Sequence, residues 1–149
     1  MENFAIFIKR AINMARKAAV LGEIPVGAVV VRKGREVGCG FNTVEKKGCQ
    51  LWHAEAIAIK SACLKLKNWR LNECELFVTL EPCLMCAGLI FSSRIKTIYY
   101  ILDEPNFGFK SKWGLKPPCE LIKIPDTYDY QKIFREFFRA LRENKSSQP

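Results

Sequence analysis

The chain has 149 residues, 49% of them hydrophobic and 26% charged, which is typical of one globular domain and excludes a collagen, a coiled coil or a disordered polymer. No stretch reaches the roughly 18–20 apolar residues of a membrane helix, and the start MENFAIFIKR is a poor signal peptide, so we expect a cytoplasmic protein. The 24 Lys and Arg against 15 Asp and Glu give a net charge of +9, which favours an anionic partner, nucleic acid first.

Hydrophobic periodicity divides the chain into helices and strands. Residues 3–21 have apolar positions at helical spacing and stop at Gly22, and two extended runs, 26–31 and 36–41, flank the turn Lys33-Gly34 as in a β-hairpin. The remaining predicted elements are a loop at 42–50, a helix at 53–67, a strand at 74–80, a helix at 83–91, a strand at 95–102, an irregular segment at 103–118, a short strand at 120–124 and a helix at 128–142.

This order of elements predicts an α/β domain in which one sheet lies between helices on both faces, a three-layer α-β-α arrangement. No internal repeat and no linker divides the chain, so we expect a single domain over residues 1–145. Residues 146–149 read as a disordered tail.

Seven cysteines are present, and an odd number in a chain expected to be cytoplasmic argues against a disulfide framework. Cys83 and Cys86 alone stand at a spacing that suggests a shared task, because residues three apart share one helix face and two sulfurs there can reach one ion. Pro82 suits the start of a helix, where the helix dipole favours thiolates.

His53 is the only histidine of the chain, and it begins the helix that precedes this CxxC pair. If the two helix N-termini meet at one edge of the sheet, His53, Cys83 and Cys86 supply three zinc ligands, and three ligands plus water is the catalytic pattern. Glu55 is then placed to move protons to and from that water without binding the metal. A structural zinc site stays open at this point, with one of four further cysteines as the last ligand: Cys39, Cys49, Cys74 or Cys119.

Joined together, His-x-Glu and Pro-Cys-x-x-Cys resemble the signature of the zinc deaminases. The chain is similar to the bacterial tRNA-specific adenosine deaminases of the cytidine/deoxycytidylate deaminase superfamily, in segments that cover most of its length: GEIPVGAVVV (22–31), GCGFN (38–42), HAE (53–55), LFVTLEPCLMCAGLIFSSRI (76–95) and FFRALR (137–142). The resemblance implies a cytidine deaminase-like fold with a mixed central sheet of about five strands.

The resemblance also implies a zinc-dependent hydrolase that converts adenosine to inosine at the wobble position of a tRNA anticodon loop. Zinc hydroxide would attack C6 of adenine, Glu55 would shuttle protons, and ammonia would leave. A homodimer with one zinc ion per subunit would form the RNA groove.

By the same likeness, three further residues contact the substrate. Asn42 would hydrogen-bond the target base, Val26 would line the base pocket, and the backbone around Ala54 would fix the base edge. From spacing alone, Asn42 is a turn-forming residue and Val26 a strand residue.

Two other functions remain open on the sequence. A deaminase of a free base or nucleoside (cytosine, guanine or cytidine) would use the same scaffold, and a zinc-stabilised RNA-binding module would need no catalysis. The basic charge and the segments EIPVGAVVV and FFRALR favour tRNA over a small substrate.

The segment after the fourth strand departs from the pattern D-x-K-x-G-A-x-G-S that is usual in this family. It reads DEPNFGFKS over 103–111, which keeps Asp103 and Ser111 of that pattern but shifts or loses its other residues. This loop lies near the RNA-binding side in the family, so the departure affects substrate contacts rather than the zinc chemistry.

Four other residues are interpreted without a role in catalysis or binding. We expect Glu81 to stabilise the strand-to-helix turn, and Phe137 and Phe138 to be core residues at helical spacing. Trp52, directly before His53, stands where the family has a smaller residue, and the pattern assigns it no role.

Overall fold

The structure, a computed structural model, describes residues 2–148. Its elements in chain order are α1 (Glu2–Val20), β1 (Gly27–Arg32), β2 (Arg35–Phe41), α2 (Val44–Lys47), a 3-10 turn (Gln50–Trp52), α3 (Ala54–Leu66), β3 (Cys74–Leu80), α4 (Leu84–Ser92), β4 (Thr97–Leu102), β5 (Glu120–Lys123) and α5 (Tyr130–Ser146). The five strands form one sheet in the order β2-β1-β3-β4-β5. β1 is antiparallel to β2 and β3, whereas β3, β4 and β5 are parallel, so the predicted mixed sheet of five strands is confirmed.

The run of small and β-branched residues in β1 explains why the sheet is covered on both faces. Side chains alternate across a strand, and here Val29 and Val31 pack in the cluster that contains the buried residues of α1 and α5. Ala28 and Val30 pack in the opposite cluster, with the alanines of α3 and with Ile90 of α4. The predicted three-layer α-β-α arrangement is therefore confirmed.

The hairpin between β1 and β2 turns at Lys33 and Gly34, as predicted. Both residues have positive φ, 49° and 73°. Two consecutive positive φ values are typical of the tight turn that matches the right-handed twist of paired strands.

One short helix was not predicted. α2 lies inside the predicted loop at 42–50, and its first N–H groups are accepted by a side chain that is distant in the chain. The buried carboxylate of Glu23 accepts the backbone N–H of Glu45 (3.0 Å) and of Lys46 (2.6 Å). Sequence patterns near α2 contain no sign of this cap, because the capping residue belongs to another loop.

The last helix differs from its prediction at both ends. α5 begins at Tyr130, where Asp126 accepts the backbone N–H groups of Tyr130 (2.8 Å) and Gln131 (2.7 Å). It continues to Ser146 rather than ending at Arg142, because the polar residues beyond Arg142 extend the helix without adding to its apolar pattern. Residues 147–148 follow without regular structure, and Pro149 of the predicted tail lies outside the described residues.

The prediction that Phe137 and Phe138 are core residues is wrong, because both are only half-buried. α5 packs on the sheet mainly through its first two turns, where Tyr130 is fully buried and Ile133 and Phe134 contact the cluster around it. The second half of α5 leaves the sheet and stays largely exposed.

Within residues 2–148, no helix has the length and apolar character needed to cross a bilayer.

The elements that form the site meet at one end of the strands of the sheet. β1 begins there, and β2, β3 and β4 end there, as their pairing directions require. A Cβ on Gly40 would lie 2.7 Å from the carbonyl oxygen of Ala54, so only glycine allows α3 to begin this close to β2. The start of α3 and the end of β2 are thereby held side by side.

Candidate zinc and active site

The three predicted zinc ligands lie together where α3 and α4 begin. His53 directly precedes α3, Cys83 directly precedes α4, and Cys86 is in the first turn of α4. The Nδ1 atom of His53 is 3.6 Å from the Sγ of Cys83 and 3.5 Å from the Sγ of Cys86, and the three ligand atoms are all within 4.8 Å of one another.

These separations fit a zinc ion. With Zn–N near 2.05 Å and Zn–S near 2.3 Å, tetrahedral coordination requires a nitrogen and a sulfur about 3.6 Å apart. Two thiolate sulfurs and one imidazole nitrogen are also donors that zinc prefers. Within residues 2–148, no other group of three His, Cys, Asp or Glu side chains comes this close, and none of the four further cysteines joins the cluster. The arrangement therefore supports three protein ligands rather than a structural site with one further cysteine as the fourth ligand.

The pKa values of Cys83 and Cys86 also bear on metal binding. A hydrogen bond from the Cys86 thiol, assisted by His53, lowers the pKa of Cys83 to about 4. The pKa of Cys86 is raised because its thiol donates to Cys83 and is buried. The pKa of His53 is raised, mainly by its hydrogen bond with Cys83. The lowered pKa favours the thiolate form of Cys83, and the thiolate is the form that binds zinc.

The sequence did not reveal a residue that contacts the far side of the histidine ring. The Oε1 atom of Gln50 is 3.0 Å from the Nε2 atom of His53. Because Nδ1 faces the two sulfurs, Nε2 carries the hydrogen and donates it to Gln50. A partner of this kind holds the tautomer and orientation of a metal-binding histidine. No motif marks Gln50, since the contact depends on how the 3-10 turn folds back.

Glu55 lies in the first turn of α3 and is only 4% exposed. Its Oε2 atom is 3.6 Å from the Sγ of Cys86, but the carboxylate is not one of the clustered ligand atoms. Burial raises the pKa of Glu55 above its ordinary value. A raised pKa makes the carboxylate a stronger base, which suits a group that must accept a proton from water.

A cavity of about 680 Å³ opens beside these groups, a volume typical of small-ligand sites. The structure places every predicted site residue except Cys86 in its wall: Val26, Asn42, His53, Ala54, Glu55 and Cys83. Other residues of the wall were not predicted as site residues, among them Gln50, Leu80, Phe107, Phe134 and Phe138. They come from four separate segments, so no local motif could have grouped them.

Asn42 shapes the turn after β2 and also borders the cavity. Its Nδ2 group donates to the carbonyl of Ile24 (3.3 Å), and its Oδ1 atom accepts the backbone N–H of Val44 (3.4 Å). The turn-forming interpretation is therefore confirmed. The predicted hydrogen bond to a target base stays a prediction, which the position of Asn42 in the cavity wall permits.

The structure gives Trp52 a role that the sequence did not. The Nζ atoms of Lys47 and Lys60 lie 5.2 Å and 5.5 Å from the centre of its ring system. Its carbonyl oxygen accepts the backbone N–H of Thr43 (3.0 Å). Cation–π contacts of this kind contribute about 0.5–1 kcal/mol each at exposed sites. Trp52 thus ties α2 and α3 together directly before His53.

Glu81 lies at the strand-to-helix turn and has a structural role, but its side chain bonds to the divergent loop and not to the turn itself. Its buried carboxylate accepts the backbone N–H of Glu104 (2.9 Å), Lys110 (2.9 Å) and Ser111 (2.8 Å), and also the hydroxyl of Ser111. A Cβ on Gly108 would lie 2.5 Å from this carboxylate. The loop that departs from the family pattern is therefore well ordered around one acidic side chain.

Known proteins agree with this geometry. The family described as cytidine and deoxycytidylate deaminase zinc-binding region matches residues 1–102. The chain is 36% identical to the tRNA-specific adenosine deaminase of Aquifex aeolicus, over 93% of this chain and 95% of that one. It is 40% identical to the tRNA-specific adenosine deaminase of Bacillus subtilis, over 99% and 96%. A solved structure from studies of A-to-I editing by tRNA:A34 deaminases superposes with a TM-score of 0.74 at 33% identity, over 80% of this chain and 98% of that one. The chain therefore belongs to the cytidine and deoxycytidylate deaminase family and, within it, to the tRNA-specific adenosine deaminases.

Proposed function

We propose that this protein is a zinc-dependent hydrolase that deaminates adenosine to inosine at the wobble position of a tRNA anticodon loop. The observation that carries the proposal is the buried carboxylate of Glu55 beside the cluster of His53, Cys83 and Cys86, at the wall of a cavity large enough for a base. The relatives named tRNA-specific adenosine deaminase support adenosine in tRNA as the substrate.

The residues of the site divide the chemistry between them. A zinc ion held by His53, Cys83 and Cys86 would supply Lewis acidity and a water molecule with a pKa near 7. Glu55 would accept one proton from the attacking water and deliver it to the ring nitrogen, and it would then carry the second proton of that water, from the new hydroxyl group, to the amine that leaves as ammonia. Burial of Glu55 suits this task, because it raises the pKa of the carboxyl group and so makes the carboxylate a stronger base.

Three residues of the cavity wall are proposed to hold the base. Asn42 offers a side-chain amide, which can pair with a base edge. Val26 contributes an apolar surface, and Ala54 allows the base to approach the backbone at the start of α3. A base in a single-stranded loop reaches such a cavity at a lower cost than a base in a duplex.

α5 offers the basic surface that an RNA substrate needs. Three of its arginines, Arg135, Arg139 and Arg142, line a groove of about 830 Å³ together with Lys132 and the acids Asp126, Asp129 and Glu136. Phe134 and Phe138 line both this groove and the catalytic cavity, so the groove continues from the cavity. If all three arginines contact phosphates, the logarithm of the binding constant falls with the logarithm of salt concentration with a slope of about −2.

We also propose a homodimer and a cytoplasmic location. The exposed face of α4 carries Leu84, Met85 and Leu89, which are 45%, 39% and 37% exposed, and a second copy of the chain would bury this apolar surface. Sedimentation analysis showing only monomers at micromolar concentration would contradict the dimer.

All seven cysteines are free thiols, which suits a reducing compartment where tRNA is also present. Residues 1–145 would form the single deaminase domain.

The experiment compares two kinds of substrate. Purified zinc-loaded protein is incubated with an RNA stem-loop that carries adenosine at the wobble position, and inosine is quantified by sequencing. Ammonia release is measured in parallel from free cytosine, cytidine and guanine. We expect inosine only in the RNA, and activity confined to the free bases or nucleoside would refute the proposal.

Glu55→Ala separates catalysis from folding. This variant is expected to bind stoichiometric zinc and to unfold like the wild type, yet to lose deamination by at least about a hundredfold, the lower range for a general acid–base group. Cys83→Ser is the matched change in the metal cluster and should lose both zinc and activity. Full activity of Glu55→Ala would remove the proton shuttle from the mechanism.

A further inference from the structure

Phe107 is a large aromatic side chain that the protein leaves in solvent at the mouth of the catalytic cavity. It is 70% exposed and belongs to the cavity wall together with His53 and Glu55. It stands in the loop that departs from the family pattern. Phe134 and Phe138 of α5 line the same cavity, so part of its wall is aromatic while its catalytic groups are polar.

The backbone around Phe107 is held by hydrogen bonds on both sides. Before it, the side chain of Glu104 accepts the N–H of Asn106 (2.9 Å), and Glu81 accepts the N–H of Glu104 (2.9 Å). After it, Gly108 donates its N–H to the carbonyl of Glu104 (2.8 Å). Because the neighbouring amides are bonded, Phe107 is presented on an ordered loop.

The residue that follows Gly108 anchors the loop to the core. Phe109 is fully buried, its ring centre is 5.7 Å from that of Phe91, and its N–H donates to the carbonyl of Pro82 (3.0 Å). Pro82 directly precedes the ligand Cys83, and Cys83 itself pairs with Gly108 in a β-bridge. The position of Phe107 is thus coupled to the segment that carries the metal ligands.

An exposed aromatic ring on an ordered loop suits stacking. Its flat face is available without rearrangement, and only two side-chain torsions are ordered when a ligand binds. A base that enters the cavity from an RNA chain necessarily brings its covalently linked neighbours to the mouth. Unstacked bases in RNA loops are commonly bound by stacking on aromatic side chains.

We propose that Phe107 stacks on the base of a nucleotide adjacent to the target adenosine and thereby distinguishes RNA from a free nucleoside. This inference rests on the proposed function, since only a polynucleotide substrate has such a neighbour. Phe107 contributes to binding of the substrate and takes no part in proton transfer, which remains with Glu55.

The test is a thermodynamic cycle between protein and RNA variants. Binding of an anticodon stem-loop with adenosine at the wobble position is measured by fluorescence anisotropy in the zinc-loaded Glu55→Ala background, so that no turnover occurs. The same stem-loop is prepared with an abasic site on the 5′ side or on the 3′ side of the target. We expect Phe107→Ala to weaken binding of the intact stem-loop by about 5- to 150-fold, the range that corresponds to stacking on one base.

The cycle also predicts where the effect disappears. At one of the two flanking positions, the abasic RNA should bind the Phe107 protein about as weakly as the Phe107→Ala variant binds the intact RNA, and the two changes together should cost no more than either alone. Phe107→Tyr retains a ring and should bind within about threefold of the parent protein.

Trp113→Ala is the matched control, because Trp113 is an aromatic of the same loop, is 57% exposed and is not part of the cavity wall. We expect it to leave binding unchanged. Equal losses for Trp113→Ala and Phe107→Ala, or a Phe107→Ala effect that persists with both abasic RNAs, would overturn the inference. If the wild type formed inosine in the stem-loop while Phe107→Ala bound normally, only this inference would fail. If the wild type formed no inosine at all, the proposed function would fail and this inference with it.

Discussion

Glu81→Ala tests whether one buried carboxylate organises the loop that carries Phe107. The substitution removes the acceptor for the backbone N–H groups of Glu104, Lys110 and Ser111 and for the Ser111 hydroxyl. None of these groups belongs to the metal cluster, so zinc binding should persist. The expected consequence is a less stable protein with a disordered loop between Asp103 and Ser111.

The magnitude follows from the three backbone donors that lose their acceptor. A buried donor without a partner costs about 1–3 kcal/mol, and the lower value applies here because water can reach part of the loop. Three such donors give a loss of about 3 kcal/mol in the free energy of unfolding. For a chain of this length each kcal/mol lowers Tm by about 2–4 °C, so we expect a decrease of about 6–12 °C.

Urea unfolding followed by circular dichroism measures the free energy, with zinc saturating in every sample. Hydrogen exchange supplies the local readout, since the amides of Glu104, Lys110 and Ser111 should lose protection while those of β3 keep theirs. Glu104→Gln is the matched control, because the Glu104 side chain accepts only the N–H of Asn106, in an exposed bond. A loss below about 1 kcal/mol, with unchanged exchange at all three amides, would refute the reasoning.

Three further predictions concern the metal site, the last helix and acid stability. Gln50→Ala removes the acceptor for the His53 Nε2–H and should weaken zinc binding by about 10-fold, the lower end of the range for hydrogen-bond partners of metal ligands. Competition with a chelator measures the zinc affinity, and Gln50→Glu should restore it. Tyr130→Phe leaves the carbonyl of Pro25 without the 2.6 Å bond from the tyrosine hydroxyl, which should lower the unfolding free energy by about 1–2 kcal/mol in urea titration; an unchanged value would exclude this bond as a stabilising contact. The pKa of Asp103 is lowered to about 2, mainly by the hydrogen bond from Lys123, so its contribution is complete above the ordinary pKa of about 3.9 and is lost as the pH falls through 2. Asp103→Asn should therefore be less stable than the wild type at neutral pH, by less than about 1 kcal/mol because the group is solvent-screened, and the difference should vanish near pH 2; a difference that grows on acidification contradicts the assignment.

The chain illustrates which elements local patterns can reveal. The strands and the long helices were predicted because their apolar positions repeat at the period of the element, as in the β-branched run of β1. α2 and the start of α5 were missed or misplaced because their first N–H groups are capped by Glu23 and by Asp126. Phe137 and Phe138 were misassigned to the core because periodicity shows which side of a helix is apolar and not how far along its length the helix packs.

The sequence by itself determined the chemistry of the site. His53, Glu55, Cys83 and Cys86 could be identified because their spacing is local within two helix starts, and because zinc accepts few kinds of ligand. Only the tertiary structure decided what surrounds them: Gln50 meets His53 because the 3-10 turn before α3 folds back, and Phe107 meets the cavity through contacts between segments that are distant in the chain. Such contacts have no period or motif. They arise because β2, β3 and β4 end where β1 begins, which brings the connecting segments at that place together.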